Sequence, residues 1–98
     1  MSYNNLPFWI RKQLERLNPK KAQTSFAPHY FKRIHRGLST ELIVETVRTG
    51  KVVLLKSLWP GKITFSRYFG KENVTYFVIT IFEKHKIEVK TSWQKKGN

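Results

Sequence analysis

Apolar residues open the chain as a helical stripe. Leu6, Ile10, Leu14 and Leu17 recur at three- and four-residue spacing, with Arg11, Lys12, Glu15 and Arg16 on the opposite side. This spacing predicts an amphipathic helix over 6–18, capped by Asn5, with Pro7 in the first turn, where a missing amide costs little, and Pro19 beyond its end. Residues 21–27 carry no strong period and are expected to form a connection. Tyr30, Phe31 and Ile34 then mark the buried side of a short helix over 28–36, stopped by Gly37. Ser39 caps a third helix over 39–49, with Glu41 in its first turn; Leu42, Ile43, Thr46 and Val47 face inward and Gly50 ends it.

From Lys51 the pattern changes to β-branched and aromatic runs, which predict strands Val52–Leu58, Ile63–Phe69, Val74–Phe82 and Ile87–Trp93. The turns between them are short, and short connections join antiparallel neighbours, because a parallel crossover needs about a dozen residues. The expected fold is therefore α+β: two or three N-terminal helices packed on one face of a four-stranded antiparallel sheet, a meander over 51–93, with a loose basic tail over 94–98. At 98 residues the chain is too short for two independent cores, so a single domain over 1–98 is expected.

Charge adds what the hydrophobic pattern leaves open. Nineteen Lys and Arg stand against six Asp and Glu, a net charge of +13, with a pI near 10.4. So large an excess repels itself in the compact state and points to a polyanionic partner, nucleic acid first, with anionic lipid or an acidic protein as alternatives. Cysteine is absent, which excludes disulfides, thiolate metal sites and a cysteine nucleophile. No apolar run approaches the roughly 18–20 residues of a membrane span, and the first residues lack a signal-peptide core, so the expected setting is cytoplasmic, without a membrane.

The segment from His29 to Gly37 concentrates candidate chemistry. At 3.6 residues per turn, His29, Arg33 and Arg36 stack on one stripe away from Tyr30, Phe31 and Ile34. An imidazole beside guanidinium groups suits cleavage of an RNA phosphodiester, the one moving a proton and the others stabilising charge on the phosphate. The same spacing describes simply the solvated face of an amphipathic helix in a basic protein; Lys32 and Arg36 are the candidates here for binding nucleic acid. In the last strand, simple alternation sets Ile87, Val89, Thr91 and Trp93 on one side and Glu88, Lys90 and Ser92 on the other. The second set is a possible phosphate-facing surface or the ordinary polar side of a sheet. Arg67 shares a side with Ile63, Phe65 and Phe69, where a charge belongs to a site or snorkels to an edge. Tyr68 beside Arg67, and Trp59 near Lys62, suit stacking on unpaired bases. No metal site is expected: His29 and His35 project from different helix faces, His85 sits in a turn, and the acids lack ligand spacing. No cofactor motif is present.

His29, Arg33, Arg36-Gly37, Ser39, Thr91 and Trp93, in this order of elements, resemble small relatives of the RelE/ParE-type toxins, within the metal-independent ribonuclease folds that include barnase and the colicin nucleases. The resemblance covers about two-thirds of the chain. It implies an endoribonuclease with His29, Arg33, Thr91 and Trp93 in its site; the reading of the residues adds Arg67 to His29, Arg33 and Thr91 as catalytic candidates and sets Lys32, Arg36, Tyr68 and Lys90 with Trp93 on RNA. It also implies a partner, an acidic antitoxin protein. For Thr91 to act, either the face it shares with Ile87 and Val89 is the open one or the strand is bulged. The alternatives are a non-catalytic RNA- or DNA-binding module and a basic module for an acidic protein partner.

Overall fold

The computed structural model describes residues 6–28, 37–58 and 61–98. The helix expected over 28–36 lies outside them, apart from Pro28, which is in a turn. The elements run α1 (Phe8–Arg16), β1 (Gln23–Phe26), α2 (Thr40–Thr49), β2 (Lys51–Val52), a 3-10 turn (Leu54–Lys56), β3 (Lys62–Phe69), β4 (Val74–Phe82) and β5 (Lys86–Lys96).

Helix α1 begins one residue after Pro7, whose carbonyl accepts the amides of Ile10 and Arg11 at 3.1 and 3.0 Å, so Pro7 is its N-cap rather than part of its first turn. Ile10 and Leu14 are buried, and Leu6 and Leu17 pack beside them. At its other end Arg16 donates to the carbonyls of Phe82, Glu83 and Lys84 at 3.1, 2.9 and 3.2 Å, tying the helix to the β4–β5 turn. Helix α2 carries the expected cap: the Ser39 hydroxyl accepts from the Leu42 amide at 3.2 Å. The Ser39 amide in turn donates to the phenol oxygen of Tyr76 at 2.9 Å, which satisfies a buried hydroxyl on β4. Gly50 ends α2 where the chain passes so close to β3 that a Cβ would overlap the carbonyl oxygens of Thr46 and Ser66.

The sheet has five strands in the order β1-β5-β4-β3-β2, and β1 runs parallel to β5. This corrects the expectation of a four-stranded antiparallel sheet; the fold is a mixed α/β arrangement with two helices among the described residues. The missed strand is Gln-Thr-Ser-Phe, a polar edge segment held by backbone pairing, so no apolar alternation announces it. The short-turn argument holds inside the meander but does not constrain β1, whose partner lies far along the chain. The predicted strand Val52–Leu58 is also corrected. The continuous ladder with β3 ends at Val52, with the Val53 amide still donating to the Thr64 carbonyl at 2.8 Å; residues 54–57 then leave the sheet edge as an arm, and Leu58 returns to bridge Lys62 of β3. Side-chain bonds replace the ladder there: Ser57 donates to the Val53 carbonyl and accepts from the Thr64 amide, and Thr64 donates to the Lys56 carbonyl at 2.7 Å. Residues 94–96 are strand, not tail, and the Gly97 amide donates to the Asn73 carbonyl at 2.8 Å.

One face of the sheet is covered. Phe65, Phe69, Tyr76, Val78, Phe82, Ile87 and Val89 meet Ile10 and Leu14 of α1 and Ile43 and Val47 of α2 in a buried cluster. The other face carries no helix of the described residues; the arm lies across part of it, which buries Thr64.

Candidate nucleic-acid interface

Strand register decides what the open face presents. Ladder pairs align Lys51 with Ser66, Ser66 with Phe77 and Phe77 with Trp93 in one row across four strands, and Tyr68 with Thr75 and Thr75 with Lys95 in the next. The β4–β5 register shifts between Ile79 and Thr80, so Thr80 faces Val89 while Ile79 faces Thr91, and Lys90 is the extra residue of a bulge. Downstream of the bulge the alternation flips: Thr91 and Trp93 join the open face, and Ser92 turns in and is buried. The bulge is the alternative that places Thr91 away from Ile87 and Val89.

Phe77 and Trp93 stack with ring centroids 5.2 Å apart and planes 11° off parallel, both half-buried. The arm returns Lys56 over them, its ammonium 5.8 Å from the Phe77 centroid and 5.9 Å from that of Trp93. Lys51, Lys62, Lys86 and Lys95 share this side by alternation; the strand acid on it, Glu88, is partnered by Lys90 at 3.5 Å. Beside the ring pair lies a hollow of about 500 Å³ lined by Lys51, Ser66, Tyr68, Thr75, Phe77 and Lys95, among others. Tyr68 rises at its border, 37% exposed, its hydroxyl donating to the Asn73 side chain at 2.8 Å. Exposed rings beside a lysine on an open sheet face are a surface on which unpaired bases are able to stack.

The sequence-derived candidates divide. His29, Lys32, Arg33 and Arg36 lie outside the described residues, as does Trp59. Arg67 stands on the covered face. Its guanidinium pairs with Glu45 of α2 at 3.1 Å, donates to Thr49 at 2.7 Å and lies 4.7 Å over the Phe69 ring. Thr91 is on the open face two strands away, so the structure brings Trp93 and Thr91 to the same face as Tyr68, while the Arg67 guanidinium is engaged by Glu45 and Thr49 on the other face and Arg67 reaches only the lining of the hollow beside Tyr68. Sequence reasoning missed Phe77, Lys51, Lys56, Lys95, Ser66 and Thr75. The signal for Phe77 was present: Val74–Phe82 is apolar at nearly every position, so its second face also carries apolar groups. Among the described residues no three His, Asp or Glu side chains form a metal-binding group, and no helix is long and apolar enough to cross a membrane.

Comparison with known proteins finds no matching family model, no matching curated protein and no matching solved structure.

Proposed function

We propose that this protein binds single-stranded nucleic acid, RNA before DNA, on the open face of its sheet. The observation that carries the reading is the stacked Phe77–Trp93 pair under the Lys56 ammonium, on the face that also holds Lys51 and Lys95. Unpaired bases stack on such rings whatever their sequence, and the lysines answer the phosphates between them. Double-stranded nucleic acid hides its base faces and meets only the lysines. The net charge of +13 supports the same partner class, and the preference for RNA draws on the resemblance to the RelE/ParE-type toxins. Cleavage belongs to that resemblance alone, since Arg67 and Thr91 do not converge among the described residues; binding is the function the geometry supports best.

The test is fluorescence polarisation with a labelled single-stranded oligoribonucleotide, with a duplex of the same length as comparison. Wild-type protein is expected to favour the single strand, and Phe77→Ala with Trp93→Ala to abolish that preference while leaving weak, salt-sensitive binding. Equal affinity of the double variant and wild type for the single strand would overturn the proposal.

A further inference from the structure

The hollow beside the ring pair has an internal order that the platform does not require. In the block where β3 and β4 face each other, small and large side chains alternate as on a checkerboard. Ser66 is opposite Phe77, and Tyr68 is opposite Thr75. The two small residues lie on one diagonal and the two rings on the other. Extended outward, the small diagonal meets Lys51, the ladder partner of Ser66, at one end and Lys95, that of Thr75, at the other. The result is a trough with Ser66 and Thr75 on its floor, the Thr75 hydroxyl donating to the Gly97 carbonyl at 2.7 Å, Tyr68 and Phe77 along its walls, and Lys51 and Lys95 on its lining beyond either end of the small diagonal.

The dimensions suit a planar ring. Diagonal neighbours across an antiparallel pair stand about 7–8 Å apart at the backbone. A planar ring between two others needs twice the roughly 3.5 Å of aromatic carbon contact. One face of Phe77 is taken by Trp93, and Phe77 also lines the trough. The hydrogen bond from Tyr68 to Asn73 holds the second ring toward the hairpin turn. The volume of about 500 Å³ lies inside the roughly 300–1,000 Å³ of pockets that hold small ligands. Lys51 and Lys95 sit three strand spacings and two residues of register apart, about 16 Å at roughly 4.8 Å per strand and 3.4 Å per residue, so they flank a base rather than share one phosphate.

We propose that this trough is a nucleotide pocket, in which one unstacked base of the bound strand inserts between Tyr68 and Phe77 with its flanking phosphates on Lys51 and Lys95. The inference rests on the nucleic-acid reading and adds to it that a single nucleotide is recognised on its own. Adenosine 5′-monophosphate is the probe, inorganic phosphate the control, and amide chemical shifts of the full-length protein the readout. AMP is expected to shift the amides around Ser66, Tyr68, Thr75 and Lys95 saturably, and phosphate at equal concentration is not. Ser66→Leu, which fills the floor, and Lys51→Ala with Lys95→Ala, which leaves the floor intact, should each weaken AMP binding about tenfold or more, the equivalent of 1.4 kcal/mol. Trp93→Ala should lower oligonucleotide affinity yet leave AMP binding in place. If AMP shifts nothing in the trough while Trp93→Ala still costs oligonucleotide affinity, the pocket is refuted and the platform stands. If phosphate reproduces the AMP pattern, the trough is a plain anion site and the pocket is refuted as well. If Trp93→Ala changes no affinity, it is the platform that fails.

Discussion

The two faces of this sheet carry the same kind of side chain under different cover. On the covered face Phe65 stacks on Phe82 with centroids 6.2 Å apart, and Phe69 meets Tyr76 edge-on at 5.6 Å; all are buried beneath two helices. On the open face Phe77 and Trp93 pair as closely, but a lysine and solvent lie above them. Ring pairing therefore does not separate residues that hold the fold from residues that meet a partner. What lies on the second side of the ring does. The largest expected effect tests this contrast directly: Phe65→Ala removes a buried ring and should cost about 3–5 kcal/mol of unfolding free energy. Trp93→Ala, with part of its area already in water, should cost clearly less in the same urea titration. Equal losses would mean that the open face is core and that the contrast is empty.

Gly50 connects the two faces, because it passes the chain from α2 on the covered side to the edge beside Ser66. Gly50→Ala has no space for its Cβ between two carbonyl oxygens, so backbone must shift; strain of this kind costs about 1–3 kcal/mol. A melting temperature unchanged from wild type would show that the approach is looser than described. Binding effects come next. Trp93→Ala should weaken single-strand affinity by about 1–3 kcal/mol for each base that stacks there, with little change for duplex. Salt dependence resolves the lysines: each phosphate contact on a single strand contributes about 0.7 to the slope of log affinity against log salt. Lys51→Ala, Lys56→Ala and Lys95→Ala should each flatten that slope by about this amount. A slope untouched by all of them would remove the open face from the interaction.

Much of this architecture is written in local pattern. The stripe from Leu6 to Leu17, the Ser39 cap and the runs Ile63–Phe69 and Val74–Phe82 are each visible within a dozen residues, and α1, α2, β3 and β4 follow them closely. The unread parts are those that local pattern does not encode. Gln23–Phe26 becomes a strand only because β5 offers it an edge, and the bulge at Lys90 exists only in the register between two strands. The stretch 52–58 reads as one strand because Val52, Val53, Leu54, Leu55 and Leu58 are apolar, yet Leu55 is 97% exposed and hydroxyl bonds from Ser57 and Thr64 hold residues 54–57 off the ladder until Leu58 rejoins it at Lys62. The candidate interface divides in the same way. Tyr68 and Trp93 attract notice as aromatic residues near positive charge. Ser66, Thr75 and Lys95 gain meaning only when cross-strand pairing sets them beside those rings, and Lys95 sits where the sequence reads as tail.

The smallest expected effect concerns Arg67, the charge whose place among apolar neighbours draws attention in the sequence. Its side chain is 39% exposed and that of Glu45 is 47%, so water and salt screen their ion pair. Exposed pairs of this type contribute about 0–1 kcal/mol. Arg67 also lies over Phe69 and donates to Thr49, so Arg67→Ala alone removes packing and a hydrogen bond together with the charge pair. A double-mutant cycle with Glu45→Ala isolates the pair. Its coupling energy should fall below about 1 kcal/mol and shrink further as salt rises. A coupling well above that, unchanged in high salt, would mean that the pair is shielded from water and that the covered face extends over it, which would move the boundary between the two faces to the far side of α2.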